Sequence, residues 1–530
     1  MDLPSRRDFL AAVGQGMIVS SLGIALAHDC GLATAWAADD NDKALTFGAL
    51  EPLVDWLQAT GPEQLLPQAV EKLRAGLDLK QLTAAASLAN ARTFGGEHYG
   101  GFHTFMALAP AYQMSQELPK DEQALPILKV LYRNATFMRS VGAPQHEVLQ
   151  QQVHASSDAN ETSLRDAINR GDKTVAEQLL ATLADRSLEE ALGGALAGVE
   201  DNHDVHSVVL PWRAWAALEF TGREHALTLL RQSVRKCAAQ AVPKNETAAR
   251  ELTRRRQIVP KLLEQHKLLA KPLGERRAED HYLDELSATI LAATDEQAAA
   301  AIAQSLAEGF APQDLAEAIS LASNQLILRQ VKDAPGNYGQ RTHGDSMGVH
   351  ASDTTNAWRN MIRVVGDRHR AAGLMLAAAN VAQSARWAAS LPTSMLHDVP
   401  YPHAAQLAAV STTDSAKLLD ELSHAIEANE QLNACAVVQR YGELGYSAEK
   451  LFPLLCRYAV SEDGRLHGEK FYRTVREEFA STRASFRWRH LVALARVTAS
   501  EYGFDAADKR SGRAPGYDEA RQLLGLSNAR

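Results

Sequence analysis

The chain has 530 residues, which is long enough for one large hydrophobic core or for several cores in a continuous array. Its 64 Asp and Glu residues outnumber its 55 Lys and Arg residues, and the formal charge is −9. This mild acidity argues against nucleic acid or an anionic lipid surface as a partner. None of the four cysteines forms a CxxC pair, so a disulfide framework is not expected.

The first 37 residues have the features of a twin-arginine export signal. Arg6 and Arg7 precede a mildly apolar stretch at 11–27, which is too rich in glycine for a good membrane anchor. Residues 35–37 read Ala-Trp-Ala and form a small-x-small cleavage site, so the mature chain should span 38–530. Cleavage removes two arginines and three aspartates, which changes the formal charge to −8. We predict a soluble periplasmic or extracellular protein without a stable membrane anchor.

Beyond residue 44 the apolar residues recur at helical spacing, as at Leu65, Val70 and Leu73. Capping-box sequences at 187–190 and 294–297 indicate two helix starts. Alternation of β-branched and polar residues, which would indicate strands, is nearly absent. The sequence therefore predicts an all-α fold of roughly twenty helices.

Several predicted helices form hairpins with short loops, for example 174–185 with 188–199 and 415–427 with 431–443. Such pairs are typical of an α/α toroid or an irregular α-solenoid. No fixed repeat period is present, which disfavours a regular repeat array. The strongest charge run, at 244–280, predicts a solvated helix face and linker that divides the all-α domain into two halves.

Four of the predicted helices begin with a histidine or close to one. A histidine at a helix start lies near the positive end of the helix dipole, which favours the neutral imidazole. The neutral imidazole is the form that binds a metal or accepts a proton. The histidines at these helix starts are His98, His103, His203, His206, His350 and His403.

Two of these helices also contain a proline, Pro110 after His103 and Pro211 after His206. Each proline removes a backbone donor and should kink its helix. A kink beside polar side chains predicts a cavity between helices, although curvature around a large core would give the same pattern. The predicted substrate-binding residues of this cavity are Trp212, Arg213 and Trp358.

The same segments contain spacings that are found in metal sites. Glu200-x-x-His203 has the spacing of a di-iron carboxylate helix. The dipeptide His203-Asp204 is similar to the His-Asp pair of metal-dependent phosphohydrolases of the HD type. Short motifs of this kind also arise by chance. We predict a shared polar site that would bind a transition metal, with His98 and His203 as candidate ligands. The chain has no GxSxG, Walker or HExxH motif, which removes those enzyme classes.

Three short patches resemble the questin oxidase-like family. They lie at 98–111, 203–217 and 350–359, and each is a histidine-bearing helix start. The resemblance implies an all-α, oxygenase-like enzyme that acts on an aromatic polyketide or a related planar compound with NADPH as reductant. It also implies four catalytic residues, His103, His206, His350 and Arg359. The export signal departs from the family, and pyridine nucleotides are scarce outside the cytoplasm.

The leading hypothesis is an exported all-α oxidoreductase with a histidine-lined cavity for a planar organic substrate. Its histidines would act as metal ligands or as acid and base groups. Two alternatives stay open at this point. One is a non-catalytic helical scaffold that binds a protein partner, and the other is a metal-dependent hydrolase that uses the same histidines.

Overall fold

The computed structural model describes residues 44–526 with short gaps. The gaps are 152–153, 155–158, 202–203, 244, 332–342, 345, 391–395, 463 and 505–511. The predicted export signal and His203 therefore lie outside the described residues. Within the described ranges, no helix has the length and apolar character needed to cross a membrane.

The described residues form 23 α-helices. Helices α1 to α8 are Glu51–Ala59, Pro62–Arg74, Leu79–Phe94, Tyr99–Ser115, Leu125–Val141, Glu161–Asn169, Lys173–Arg186 and Leu188–Asp201. Helices α9 to α16 are Val205–Thr221, Ala226–Gln240, Glu246–Gln265, Asp280–Ala292, Asp295–Ala307, Pro312–Arg329, Met347–Met361 and Asp367–Ser390. Helices α17 to α23 are Ala404–Ala409, Ser415–Glu427, Gln431–Glu443, Leu451–Ser461, His467–Ser481, Trp488–Glu501 and Tyr517–Leu524.

The predicted all-α fold is confirmed, because the structure is 75% helical and its described residues form no strand or sheet. Local sequence explains several helix starts. Thr294 and Gln297 form a capping box at α13, and the Asp204 side chain accepts the backbone N–H of His206 and Ser207 at α9. The two predicted hairpins are present as α7 with α8 and α18 with α19.

Four helices from distant parts of the chain form a closed inner ring. Helix α4 contacts α9, α9 contacts α15, α15 contacts α21, and α21 returns to α4. Outer helices cover this ring, with α3 and α5 against α4, α10 against α9, α14 and α16 against α15, and α22 against α21. In a solenoid each repeat contacts only its sequence neighbours. The contact of α4 with α21 departs from that pattern, because these helices are far apart in the chain. The arrangement is closer to an inner ring of helices within an outer ring.

Two buried ion pairs hold α21 in the inner ring. Lys129 of α5 lies 2.7 Å from Glu469 of α21, and its Nζ also donates to the Ala459 carbonyl at 3.1 Å. Arg359 of α15 binds Glu478 of α21. Removal of one partner from such a pair leaves an uncompensated buried charge and is strongly destabilising. These pairs therefore fix α21 against α15 in the ring and against α5, the outer helix that covers α4.

One continuous cluster of buried apolar side chains extends from Phe47 to Ala520 and includes residues on both sides of 244–280. The charged segment itself forms mainly α11. Its Arg254 pairs with Asp295 at 2.5 Å and with Glu251 at 2.8 Å. The division of the domain into two halves stays a prediction.

His369 of α16 joins two helices through a buried, protonated imidazole. Its Nε2 lies 3.1 Å from Glu161 at the start of α6, and its Nδ1 lies 3.1 Å from Glu200 of α8. Burial opposes protonation, but the hydrogen bonds to both carboxylates raise the pKa of His369 to about 9. Glu200 also binds Arg368 at 2.6 Å, so this carboxylate belongs to an ion-pair cluster.

We expect His369→Gln to destabilise the protein in a pH-dependent way. The folded-state pKa is raised, so the stabilisation is fully present below about pH 6.5 and is lost as the pH rises through about 9. At pH 6 the free energy of unfolding should fall by roughly 3 kcal/mol relative to wild type. Urea unfolding at pH 6, 8 and 10 measures this. The matched control is His424→Gln at an exposed histidine of α18; a wild-type-to-variant difference that stays constant from pH 6 to 10 would contradict the prediction.

Candidate functional site

Four histidine rings meet at one end of the inner ring of helices. The ring centres of His103 and His206 are 4.9 Å apart, and those of His206 and His350 are 5.9 Å apart. The circuit closes through His467, which lies 5.0 Å from His350 and 5.2 Å from His103. Each of the four helices α4, α9, α15 and α21 contributes one ring. We call this group the tetra-histidine cluster.

The four helices run in the same direction. Each cluster histidine lies within the first five residues of its helix, so four N-terminal ends meet around the rings. The residue ten positions after each histidine lines a single groove at the opposite end. These groove residues are Gln113, Ala216, Asn360 and Glu477. The positive ends of four helix dipoles therefore surround the tetra-histidine cluster.

Two glycines allow α4 to bring His103 into the interior. A Cβ atom on Gly101 would lie 2.4 Å from the Phe94 ring, and one on Gly100 would lie 2.5 Å from the Phe137 ring. The first turn of α4 consequently lies directly on its neighbours α3 and α5. A larger residue at either position would push the helix start, and His103 with it, away from the cluster.

A tight left-handed turn positions His467 as the first residue of α21. Gly464, Arg465 and Leu466 have φ values of 44°, 47° and 66°. Each of the two non-glycine residues costs about 1 kcal/mol in this conformation. The turn directs the Gly464 carbonyl towards the His467 ring, whose Nδ1 lies 3.1 Å away. Backbone strain of this kind is typical of functional sites.

Hydrogen bonds to Nδ1 orient two of the rings. His206 Nδ1 lies 2.9 Å from the Asp204 carboxylate, and His467 Nδ1 faces the Gly464 carbonyl. Because both partners only accept, we assign the proton to Nδ1 in each ring, which leaves the lone pair on Nε2. The Nε2 atoms of His103 and His206 are buried without a hydrogen-bond partner. His350 Nε2 lies 3.2 Å from His467 Nε2.

Burial and nearby positive charge keep His103 and His467 neutral. Burial, followed by the nearby Lys470 ammonium, lowers the pKa of both rings well below the ordinary value. Lys470 Nζ lies 3.1 Å from His103 Nδ1, one helical turn after His467. The helix N-termini act in the same direction. These two rings are therefore uncharged at physiological pH.

The imidazoles are neighbours and not an assembled coordination shell. In the part of the chain that the structure describes, no three His, Cys, Asp or Glu side chains already form a metal-binding group. Metal–nitrogen bonds of about 2.1 Å in a tetrahedral arrangement would place ring centres roughly 5 Å apart. The observed separations of 4.9 to 5.9 Å are close to this value.

Three of the predicted site residues, His103, His206 and His350, are brought together by the fold. His467 was not among the predicted residues. In the sequence it follows Asp463-Gly464 by three residues, a dipeptide that does not precede any of the other three cluster histidines. The ring of His403, at the predicted fourth helix start, lies outside the cluster. It stacks on the Tyr401 ring, with the ring centres 4.2 Å apart.

Other predicted residues lie outside the tetra-histidine cluster. His98 caps α4 by accepting the Gly101 N–H at 3.0 Å, and its ring stacks on Phe94. Arg359 is held by the Glu478 carboxylate, and Trp358 is 1% exposed within the core. His98 thus caps a helix, Arg359 belongs to a buried ion pair and Trp358 belongs to the core.

The groove at the far end of the four helices has a volume of about 1160 Å³. Trp212, Trp215 and Phe479 supply its apolar wall. Arginine and glutamate side chains form much of the rest of its lining, together with a few uncharged residues. Arg213 follows Trp212 in the chain but is only 1% exposed.

No family model, no curated protein and no solved structure matches this chain. The likeness to the questin oxidase-like family rests on the three sequence patches and stays a prediction.

We expect His467→Gln to reduce the loss of stability on acidification. The folded-state pKa of His467 is lowered, so the unfolded chain binds a proton that the folded chain does not, and stability falls as the pH drops below about 6.5. Each such histidine contributes about 1.4 kcal/mol per pH unit to this loss. Unfolding free energies at pH 7, 6 and 5 measure the slope. The exposed His281 provides the control as His281→Gln, and equal slopes in the three proteins would refute the expectation.

Proposed function

We propose that this protein is a metal-dependent enzyme whose centre is held by His103, His206, His350 and His467. The observation that carries the proposal is the closed circuit of four imidazoles on four helices, with the rings of His103 and His467 buried. The buried Nε2 atom of His206 supports it, because its lone pair has no hydrogen-bond partner and such an atom is costly unless a ligand satisfies it.

The surroundings of the rings also suit a metal. Ligating histidines commonly donate their second ring N–H to a carboxylate or a backbone carbonyl, which fixes the ring and raises its basicity. His206 with Asp204, and His467 with Gly464, have this arrangement. A set of neutral imidazoles suits iron, copper, nickel or zinc and does not suit calcium or magnesium.

We further propose that the reaction is an oxidation or reduction of a planar organic substrate. A redox-active metal in this set would supply electron transfer and activation of oxygen, while the protein would orient the substrate and exclude water. The sequence resemblance to oxygenase-like enzymes supports this class. The predicted export signal supports a place outside the cytoplasm and a reductant other than NADPH.

Metal analysis of the exported protein tests the centre. Protein collected after export, with its N-terminus checked for Ala38, should contain about one metal ion per chain. Alanine at His103, His206, His350 or His467 should reduce the metal content at least tenfold, and Asp204→Asn should weaken metal affinity by about 10- to 100-fold. His98→Ala, at a histidine outside the cluster, is the matched control. Wild-type protein without metal, or equal metal loss in His98→Ala, would overturn the proposed centre.

Oxygen consumption distinguishes an oxidoreductase from a hydrolase. We expect metal-loaded protein to consume oxygen with planar phenols in the presence of a chemical reductant, and not to hydrolyse p-nitrophenyl phosphate or acetate. His206→Ala should lose this activity because it removes one of the four ligands. Hydrolysis of either ester that depends on the same histidines, without oxygen uptake, would favour the metal-dependent hydrolase instead.

A further inference from the structure

We propose that the groove at the far end of the inner helices binds a planar organic carboxylate, and that the buried guanidinium of Arg213 holds its carboxylate group. Arg213 lies seven residues after His206, about 10 Å along the helix. The inference goes beyond the proposed function, because it concerns a second binding site on the same axis and needs no metal.

Arg213 points along the interior of the four-helix ring. Residues seven apart lie on nearly the same face of a helix, so Arg213 faces the same side as His206. The equivalent position on each of the other three helices is a small or short side chain, and all three are buried. These residues are Pro110, Ala357 and Thr474. At this level of the inner ring, Arg213 has the only long side chain. The three small neighbours leave room beside its guanidinium.

The guanidinium is buried without hydrogen bonds to satisfy it. Arg213 is 1% exposed, and both its Nε and its Nη1 lack an acceptor. Burial lowers its pKa, while Glu477 and Asp353 oppose this through their charge. A buried charged donor without an acceptor is among the costlier features a fold can carry. An acceptor with two oxygens in one plane matches the fork of a guanidinium.

The two nearest carboxylates are already engaged elsewhere. Asp353 accepts the Thr474 hydroxyl at 2.7 Å. Glu477 accepts Asn360 Nδ2 at 2.8 Å and Arg473 Nε at 2.8 Å. Both influence Arg213 through their charge and neither hydrogen-bonds to it. A carboxylate supplied by a ligand would complete the missing contacts.

The groove supplies the complementary surface for the rest of the ligand. Trp215 and Phe479 form a wall on which a planar ring system can stack. At the rim, Arg363 and Arg487 form no ion pair with any carboxylate in the described ranges. This surface combines aromatic faces with uncompensated positive charge, which suits an aromatic acid better than a neutral or cationic compound.

Helix dipoles do not overturn this preference. The C-terminal ends of the four helices give the groove a negative contribution, which is confined to the last turn of each helix. Arg213 lies eight residues before Thr221, the end of α9, and so lies outside that range. Trp212 is the side chain that we expect to move aside, because its indole N–H is buried without an acceptor.

Isothermal titration of the mature protein with 2-naphthoate and with its neutral analogue 2-naphthamide tests the site. Wild-type protein should bind the naphthoate at least about tenfold more tightly, because only the acid matches the guanidinium. Arg213→Met should abolish this preference, whereas Arg213→Lys should retain part of it through charge alone. Arg363→Gln and Arg487→Gln should each weaken naphthoate binding by about two- to fivefold, with less effect at high salt. Wild-type protein without a preference, or Arg213→Met that keeps it, would overturn the site.

Two controls separate this site from the metal centre. Arg139→Gln removes an exposed arginine outside the groove that already pairs with Glu63, so it should leave naphthoate affinity unchanged within about twofold. His206→Ala should lose metal and keep the naphthoate preference. A preference that disappears in His206→Ala but survives in Arg213→Met would place the acid at the metal and refute this proposal. If wild-type protein collected after export contains no metal and still prefers naphthoate, the metal centre is refuted and the Arg213 site is not.

Discussion

The parallel closure of four helices is the constraint on which the rest of the structure depends. Helices α4, α9, α15 and α21 start together, and their first turns carry His103, His206, His350 and His467. Burial and four positive helix ends both penalise protonation of an imidazole. Four imidazolium ions could not lie 5 to 6 Å apart in such a place, and the pKa of His103 and His467 is lowered well below its ordinary value. The geometry of the cluster and the neutral state of these two rings therefore have one origin.

The residues that hold this arrangement are costly in isolation. Lys129 and Glu469 are buried charges, and Arg465 and Leu466 adopt a left-handed backbone. Apolar substitutes for a buried ion pair often stabilise a protein. The buried ion pair and the strained turn lie next to the cluster. This fits a fold in which the position of α21 matters more than the last few kcal/mol of stability. The strain at 464–466 also turns a carbonyl towards His467 and so selects the tautomer of that ring.

The two ends of the inner ring offer different chemistry. At the N-terminal end, uncharged nitrogen donors face one another with unsatisfied Nε2 atoms. At the C-terminal end, aromatic and charged side chains line an open groove. Arg213 lies between them, nearer the groove. A metal would satisfy unpartnered imidazole nitrogen, and an organic acid would satisfy the unpartnered guanidinium donors of Arg213. The two proposals therefore account for two separate groups of unsatisfied polar atoms in the interior.

The sequence by itself determined the helices, because helical spacing, capping boxes and helix-start prolines are local properties of the chain. It also singled out three of the four cluster histidines, since His103, His206 and His350 share a position near a helix start. The spacing Glu200-x-x-His203 arises readily by chance, and Glu200 binds His369 and Arg368. His467 escaped notice because a single histidine after an Asp-Gly turn has no distinctive local pattern. Only the tertiary structure decided that α21 closes the ring against α4, since that contact joins distant parts of the chain through pairs such as Lys470 with His103, which no local spacing encodes.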